Sequence, residues 1–217
     1  MKLLSINLAR SIWLAPILDF NPKGIRLDRI LFPFLIDTYK FRQYPSLKEI
    51  EDLSKGIVFS DGEFAINSDH LIVVNLTIYN DGMVVDTRSS TEHSEAFLND
   101  AFSQFSEISK VPPYQSIIRE RLYVSEVYVS SDKSLELINP KLKQISKYLS
   151  QNVEKDKTFQ VGGISFWPDQ TSKTNPRPFL FERVLNTPFS ENRYFSAAAL
   201  PTEKHLELLD KLERILS

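Results

Sequence analysis

The densest run of polar side chains in this sequence is Asp86-Thr87-Arg88-Ser89-Ser90-Thr91, with His93 close behind. These residue types suit a small anionic ligand. Free N–H groups at a helix start attract phosphate or carboxylate, and Arg88 would add a charge-assisted bond. Asp86, expected on the same strand face as Arg88, or His93 would then serve as the acid–base group. A structural role competes with this one. Ser89 followed three residues later by Glu92 has the form of a capping box, and Glu92 and Glu95 would occupy the same positive field. The run also has no glycine to let backbone approach a phosphate, so capping is the commoner reading of such a pattern.

Three further stretches offer chemistry. Glu191-Asn192-Arg193-Tyr194-Phe195 places a carboxylate, an amide, a guanidinium and a phenol at a strand start, with Glu182-Arg183 expected opposite as a cross-strand ionic network. Gly162-Gly163 followed by Phe166-Trp167-Pro168 suggests a bulge or a close backbone approach. Trp167 is then either a core aromatic, the more frequent case, or an exposed residue that binds a partner. Lys133, Lys141, Lys143, Lys147, Lys155 and Lys157, downstream of Arg119, Arg121, Tyr123 and Tyr128, have the mix a single-strand nucleic-acid binder uses. Interspersed acids and the helical spacing of Lys143 and Lys147 fit an ordinary solvated face better.

Other chemistry is missing from the sequence. The chain has no cysteine and only His70, His93 and His205, which removes thiolate zinc sites, iron–sulfur clusters and cysteine nucleophiles. There is no P-loop, dinucleotide fingerprint, nucleophile elbow or zincin helix. The expectation is therefore no cofactor and no metal, with enzymatic activity left open.

Elements must position these residues. Lys2 to about Leu14 reads as a strand, on the period-two recurrence of Leu4, Ile6, Leu8, Ile12 and Leu14. Asn7, Arg10 and Asp19 break any signal-peptide core, and no run approaches the roughly 20 apolar residues that cross a bilayer. A cytoplasmic, unprocessed chain is expected. Ile30, Leu31, Phe34, Leu35 and Tyr39 share a helical face containing Pro33, which implies a kink or a helix start. From Gly56 to Arg88 the pattern is a meander, with strands at Ile57–Phe59, Phe64–Ile66, His70–Tyr79 and Met83–Asp86. In the long strand Leu71 and Val73 make both faces apolar, as in a central strand. Phe97, Leu98, Ala101, Phe102, Phe105 and Ile108 then form a helical stripe. Leu122–Val129 reads as a strand, and Asn139-Pro140 starts a helix expected to bury Leu142, Ile145 and Leu149. Strands follow at Phe159–Trp167, Phe179–Leu185 and Arg193–Ala198, before a helix capped at Thr202.

Hairpins dominate, so the fold class is α+β with a largely antiparallel sheet and amphipathic helices packed on one face. The expected organisation is a single compact domain, 1–217, or two sub-units, 1–110 and 111–217, sharing an interface. Charge is uneven: residues 46–109 hold 12 acids against three bases, whereas 110–157 hold nine bases against six acids. The acidic block disfavours a nucleic-acid surface there. Aromatic content of 12% and the absence of a motif favour a non-catalytic binding or assembly protein. A protein partner or a homo-oligomer is expected, rather than nucleic acid or a membrane. The alternative is an enzyme or sensor for a small anionic ligand bound near residues 86–93.

Overall fold

The computed structural model describes residues 1–16, 19, 28–45, 55–109, 113–153, 157–169 and 176–216. Its elements are β1 (Lys2–Leu14), α1 (Asp28–Tyr39), β2 (Ile57–Asn67), β3 (His70–Tyr79), β4 (Gly82–Thr87), α2 (Thr91–Ser109), β5 (Glu120–Ser130), α3 (Lys143–Asn152), β6 (Gly163–Phe166), β7 (Phe179–Arg183), β8 (Arg193–Ala198) and α4 (Thr202–Ile215). Eight strands form an antiparallel sheet in the order β2-β3-β4-β1-β5-β8-β7-β6. The fold is α+β, as the hairpin-rich pattern predicts.

The chain divides into two compact units: an N-terminal one of residues 8–125 and 200–202, and a C-terminal one of residues 1–7, 126–199 and 203–217. The element order is written twice, as β1-α1-β2-β3-β4-α2 and as β5-α3-β6-β7-β8-α4. Strand neighbours follow suit, β1-β4-β3-β2 in the first set and β5-β8-β7-β6 in the second. Both α2 and α4 follow their strand after a three-residue connection, and both begin Thr-Glu.

In the N-terminal unit an aromatic-rich core gathers Trp13, Phe32, Tyr39, Phe41, Phe59, Phe64, Phe97, Phe102 and Phe105. Tyr39 and Phe97 meet edge to face at 4.7 Å, a pairing worth about 1 kcal/mol beyond area burial. The Tyr39 hydroxyl donates to Asp100 Oδ2 at 2.7 Å, tying α1 to α2. Burial, then the bond to Asp100, push this phenol far above its ordinary pKa. Pro33 lies inside α1 rather than at its start. The C-terminal core is smaller and is built on Val127, Val129, Leu135, Phe181, Tyr194, Leu209 and Leu212.

Several expectations are corrected. β1 is a strand as expected, and the parity it buries is that of Ala9, Ser11 and Trp13. Trp13, stacked on Tyr114 at 5.4 Å, is the bulkiest apolar group of the strand and claims the core face. Ile57–Phe59 and Phe64–Ile66 are one strand, β2, because Ser60-Asp61 forms a bulge instead of a turn. Asp61 takes a positive φ of 56° and its N–H donates to Asn75 Oδ1 at 2.9 Å. Gly62 leaves room for the Phe41 ring, since a Cβ there would sit 2.4 Å from Phe41 Cε1. Leu71 and Val73 are exposed, so β3 is covered on one face only. β6 is shorter than the strand expected over Phe159–Trp167.

The largest correction concerns α3. Asn139 does cap the turn that leads into it, accepting from the Lys141 N–H at 3.2 Å. The residues expected to be buried are not: Leu142, Ile145 and Leu149 are all exposed.

Candidate functional site

The corner around Asp86 is built by the end of β4, a short connection and the first turn of α2. Asp86 pairs across the β1–β4 ladder with Arg10, whose Nε and one Nη donate to its two carboxylate oxygens at 2.6 and 2.7 Å. This fork-on-fork geometry consumes the acid. Arg88 falls just beyond β4 and is exposed. The capping hydroxyl belongs to Ser90 rather than Ser89: Ser90 Oγ accepts from the His93 N–H at 3.2 Å. Ser89 instead places its Oγ 2.6 Å from His93 Nδ1, and the His93 ring lies 6.3 Å from that of His70.

Thr91 is buried in an exchange with Thr202, the first residue of α4. The Thr91 N–H donates to Thr202 Oγ1 at 3.0 Å, and the Thr202 N–H donates to Thr91 Oγ1 at 2.6 Å. Each helix start is thus closed by the other's hydroxyl. Behind this clasp, Ser11 Oγ lies 2.7 Å from Ser94 Oγ and 3.1 Å from the Thr91 carbonyl. Ser90 and Thr91 are engaged in helix capping. The Ser89–His93 contact has the spacing of a hydroxyl–imidazole dyad, and the ring it faces is an imidazole rather than an orienting carboxylate.

The 191–195 stretch lies in the C-terminal unit. Arg183 is opposite Tyr194 and Glu182 opposite Phe195, as the strand pattern suggests. The polar groups serve packing rather than an ionic network. Glu191 and Arg193 make a 3.8 Å exposed pair, the kind worth about 0–1 kcal/mol. Tyr194 is buried and stacked on Phe181 at 4.6 Å, and its oxygen accepts from the Leu135 N–H at 3.2 Å. Burial raises its pKa. Arg183 donates to the carbonyls of Val161 and Phe189, to Ser134 Oγ and to Gln160 Oε1, and lies over the Phe189 and Tyr194 rings. It is a brace for the loops around β7.

A buried pair that the sequence did not flag joins β8 to α4. Ser196 Oγ donates to the Leu180 carbonyl at 2.8 Å and lies 2.8 Å from His205 Nε2. A carbonyl can only accept, so the hydroxyl proton is committed and Nε2 carries the ring hydrogen. Burial pushes His205 down to about 4. The ring is a neutral structural donor, not a general base for Ser196.

The exposed apolar surface of the C-terminal unit contrasts with these satisfied clusters. Trp167 and Phe166 are each 66% exposed, so Trp167 is not a core aromatic. At the other end of β6 lies an open groove of about 530 Å³, lined among others by Phe159, Gly162, Gly163, Leu185 and Phe189. On α3, Ile145 and Tyr148 are 57% and 66% exposed, whereas Ser146 and Ser150 are its less exposed positions. Ser150 Oγ accepts from the Phe159 N–H at 2.8 Å. Ser146 and Ser150 are thus the more covered positions of the helix, and the apolar stripe beside them stays exposed. Three residues read as core, Leu142, Ile145 and Leu149, belong to this surface. Their amphipathic spacing was visible in sequence, but not which side would be covered.

Among the described residues, no group of three His, Asp or Glu side chains is arranged to hold a metal ion, and no helix is long and apolar enough to cross a membrane. No protein-family model matches the chain. A search of curated proteins finds no match either.

Proposed function

We propose that this chain is a non-catalytic binding or assembly protein that docks an acidic amphipathic helix of a protein partner on the outward stripe of α3. The observation behind this reading is the exposure of the apolar stripe on α3. α1 and α3 hold the same place in the repeated element order, and α1 buries Leu31, Phe32, Leu35 and Tyr39. α3 carries an equally regular stripe, Leu142, Ile145 and Leu149 with Tyr148 beside it, and presents it to solvent. The helical spacing of the stripe suits helix-on-helix packing. The partner's charge follows from the surroundings. Lys141, Lys143 and Lys147 stand between Leu137 and Val153, a stretch without a single carboxylate that is bounded by Glu136 and Glu154, so the helix itself carries positive charge.

The test uses a synthetic Leu/Glu amphipathic helix as the acidic probe, a Leu/Lys helix of the same apolar pattern, and vesicles containing phosphatidylserine. Saturable binding of the acidic helix, lost in Ile145→Ser/Leu149→Ser, is expected. Equal binding of the basic helix would overturn the proposal, as would binding to the vesicles alone.

A further inference from the structure

We infer that β6 pairs antiparallel with β6 of a second copy of this chain, centred on Ser165. This rests on a different feature from the α3 reading: the contrast between the two ends of the sheet. Strand edges offer unpaired N–H and C=O groups, and proteins protect them with bulges, charges or covering segments. The β2 end has all three. It is bulged at Ser60-Asp61, carries Asp61 and Glu63, and is bridged by Gln43 to Ser60. The β6 end differs. From Thr158 to Pro168 no residue carries a charge, and among the described residues β6 has no strand partner besides β7.

The register defines what this edge offers. Gly163 lies opposite Glu182, and the Arg183 N–H donates to the Gly162 carbonyl at 2.7 Å. Bonded and non-bonded pairs alternate along an antiparallel ladder. Ile164 and Phe166 therefore direct their backbone groups to β7, whereas those of Gly163 and Ser165 point to the free edge.

The occupant follows from the strand's own asymmetry. Its leading end is Gly162-Gly163, and beyond Gly162 nothing lies within 4 Å of where a Cβ would be. Its trailing end is the exposed pair Phe166-Trp167. An antiparallel second copy reverses the strand, so with Ser165 opposite Ser165 of the second copy, Trp167 of the second copy comes opposite Gly163. The aromatic end of each copy meets the side-chain-free end and groove of the other. The contact is isologous, and the absence of charge means that no like charges are brought together. An unrelated strand would gain the backbone bonds without this reciprocal fit.

Mass measurement by light scattering across a concentration series tests the pairing, together with three variants of the full chain. Ser165→Pro removes an edge donor without touching a β7 bond. Gly162→Lys enters open space in the single chain and puts a charge on the face where Phe166 of the second copy lies opposite Ile164. Both should weaken dimerisation by at least about tenfold while thermal unfolding of the dilute protein stays unchanged. In this cysteine-free chain, Ser165→Cys should cross-link on mild oxidation, because directly opposed bonded residues are about 5.5 Å apart. Val58→Cys on β2 should not. A monomer at every concentration would overturn the inference. So would a dimer indifferent to both Ser165→Pro and Gly162→Lys, including one held by α3, which the Ile145→Ser/Leu149→Ser variant would dissociate instead.

Discussion

Acid should destabilise this protein through the buried imidazole of His205. The ring is buried between α4 and β8, with its Nε2 hydrogen on Ser196 Oγ. Burial holds its pKa at about 4, against 6.5 when unfolded. Between those values the unfolded chain binds a proton that the folded chain does not. The stabilisation is therefore complete above about pH 6.5 and is lost as pH falls towards 4. At ~1.4 kcal/mol per pH unit, the interval corresponds to about 3 kcal/mol. Urea unfolding at about pH 7, 5.5 and 4.5, run on wild type and His205→Gln, isolates this contribution from other titrating groups. The glutamine keeps an amide donor for Ser196 but cannot titrate. Between pH 7 and 4.5 wild type should lose about 2–2.5 kcal/mol more than the variant. Equal losses would refute the assignment of His205 as a buried neutral donor.

Three other outcomes follow from the same geometry. Thr91→Ala and Thr202→Ala should each cost about 1 kcal/mol or somewhat more. In the double mutant the sum should fail by ~0.5 kcal/mol or more, because each threonine serves the other's helix start; strict additivity in a double-mutant cycle would contradict the clasp. Gly162→Ala should change unfolding free energy by no more than about 0.5 kcal/mol. Gly163→Ala should cost about 1–3 kcal/mol, because its Cβ would lie 2.9 Å from both the Phe181 carbonyl and Glu182 Cβ. Ile145→Ser and Leu149→Ser should leave denaturant unfolding within about 1 kcal/mol of wild type; a loss of ~3 kcal/mol from either would place that side chain in a core.

Much of the fold was legible because its signals are local. The alternation from His70 to Tyr79, the Asn-Asp-Gly turn after it and the Arg193–Ala198 strand all depend on residues adjacent in sequence. What was not legible depends on competition between distant residues. Period two identified β1, but only the stacking of Trp13 on Tyr114 decided which parity lies inside. Ser60-Asp61-Gly62 has turn composition, yet Phe41 over Gly62 and Asn75 beneath Asp61 make it a bulge. Capping at the α2 start was recognisable, one residue out of register. Thr202 was legible as a helix start, but its exchange with Thr91, 111 residues away, was not. The spacing of Leu142, Ile145 and Leu149 announced an apolar face, but spacing carries no information about whether the cover comes from the same chain.

Whether a partner helix covers that face is measured by amide hydrogen exchange of the full chain with and without the Leu/Glu helix. Slowed exchange confined to α3 and its flanks, absent in Ile145→Ser/Leu149→Ser and absent with the Leu/Lys helix, is the predicted result. Protection elsewhere with α3 unchanged, or no protection at saturating probe, would contradict it.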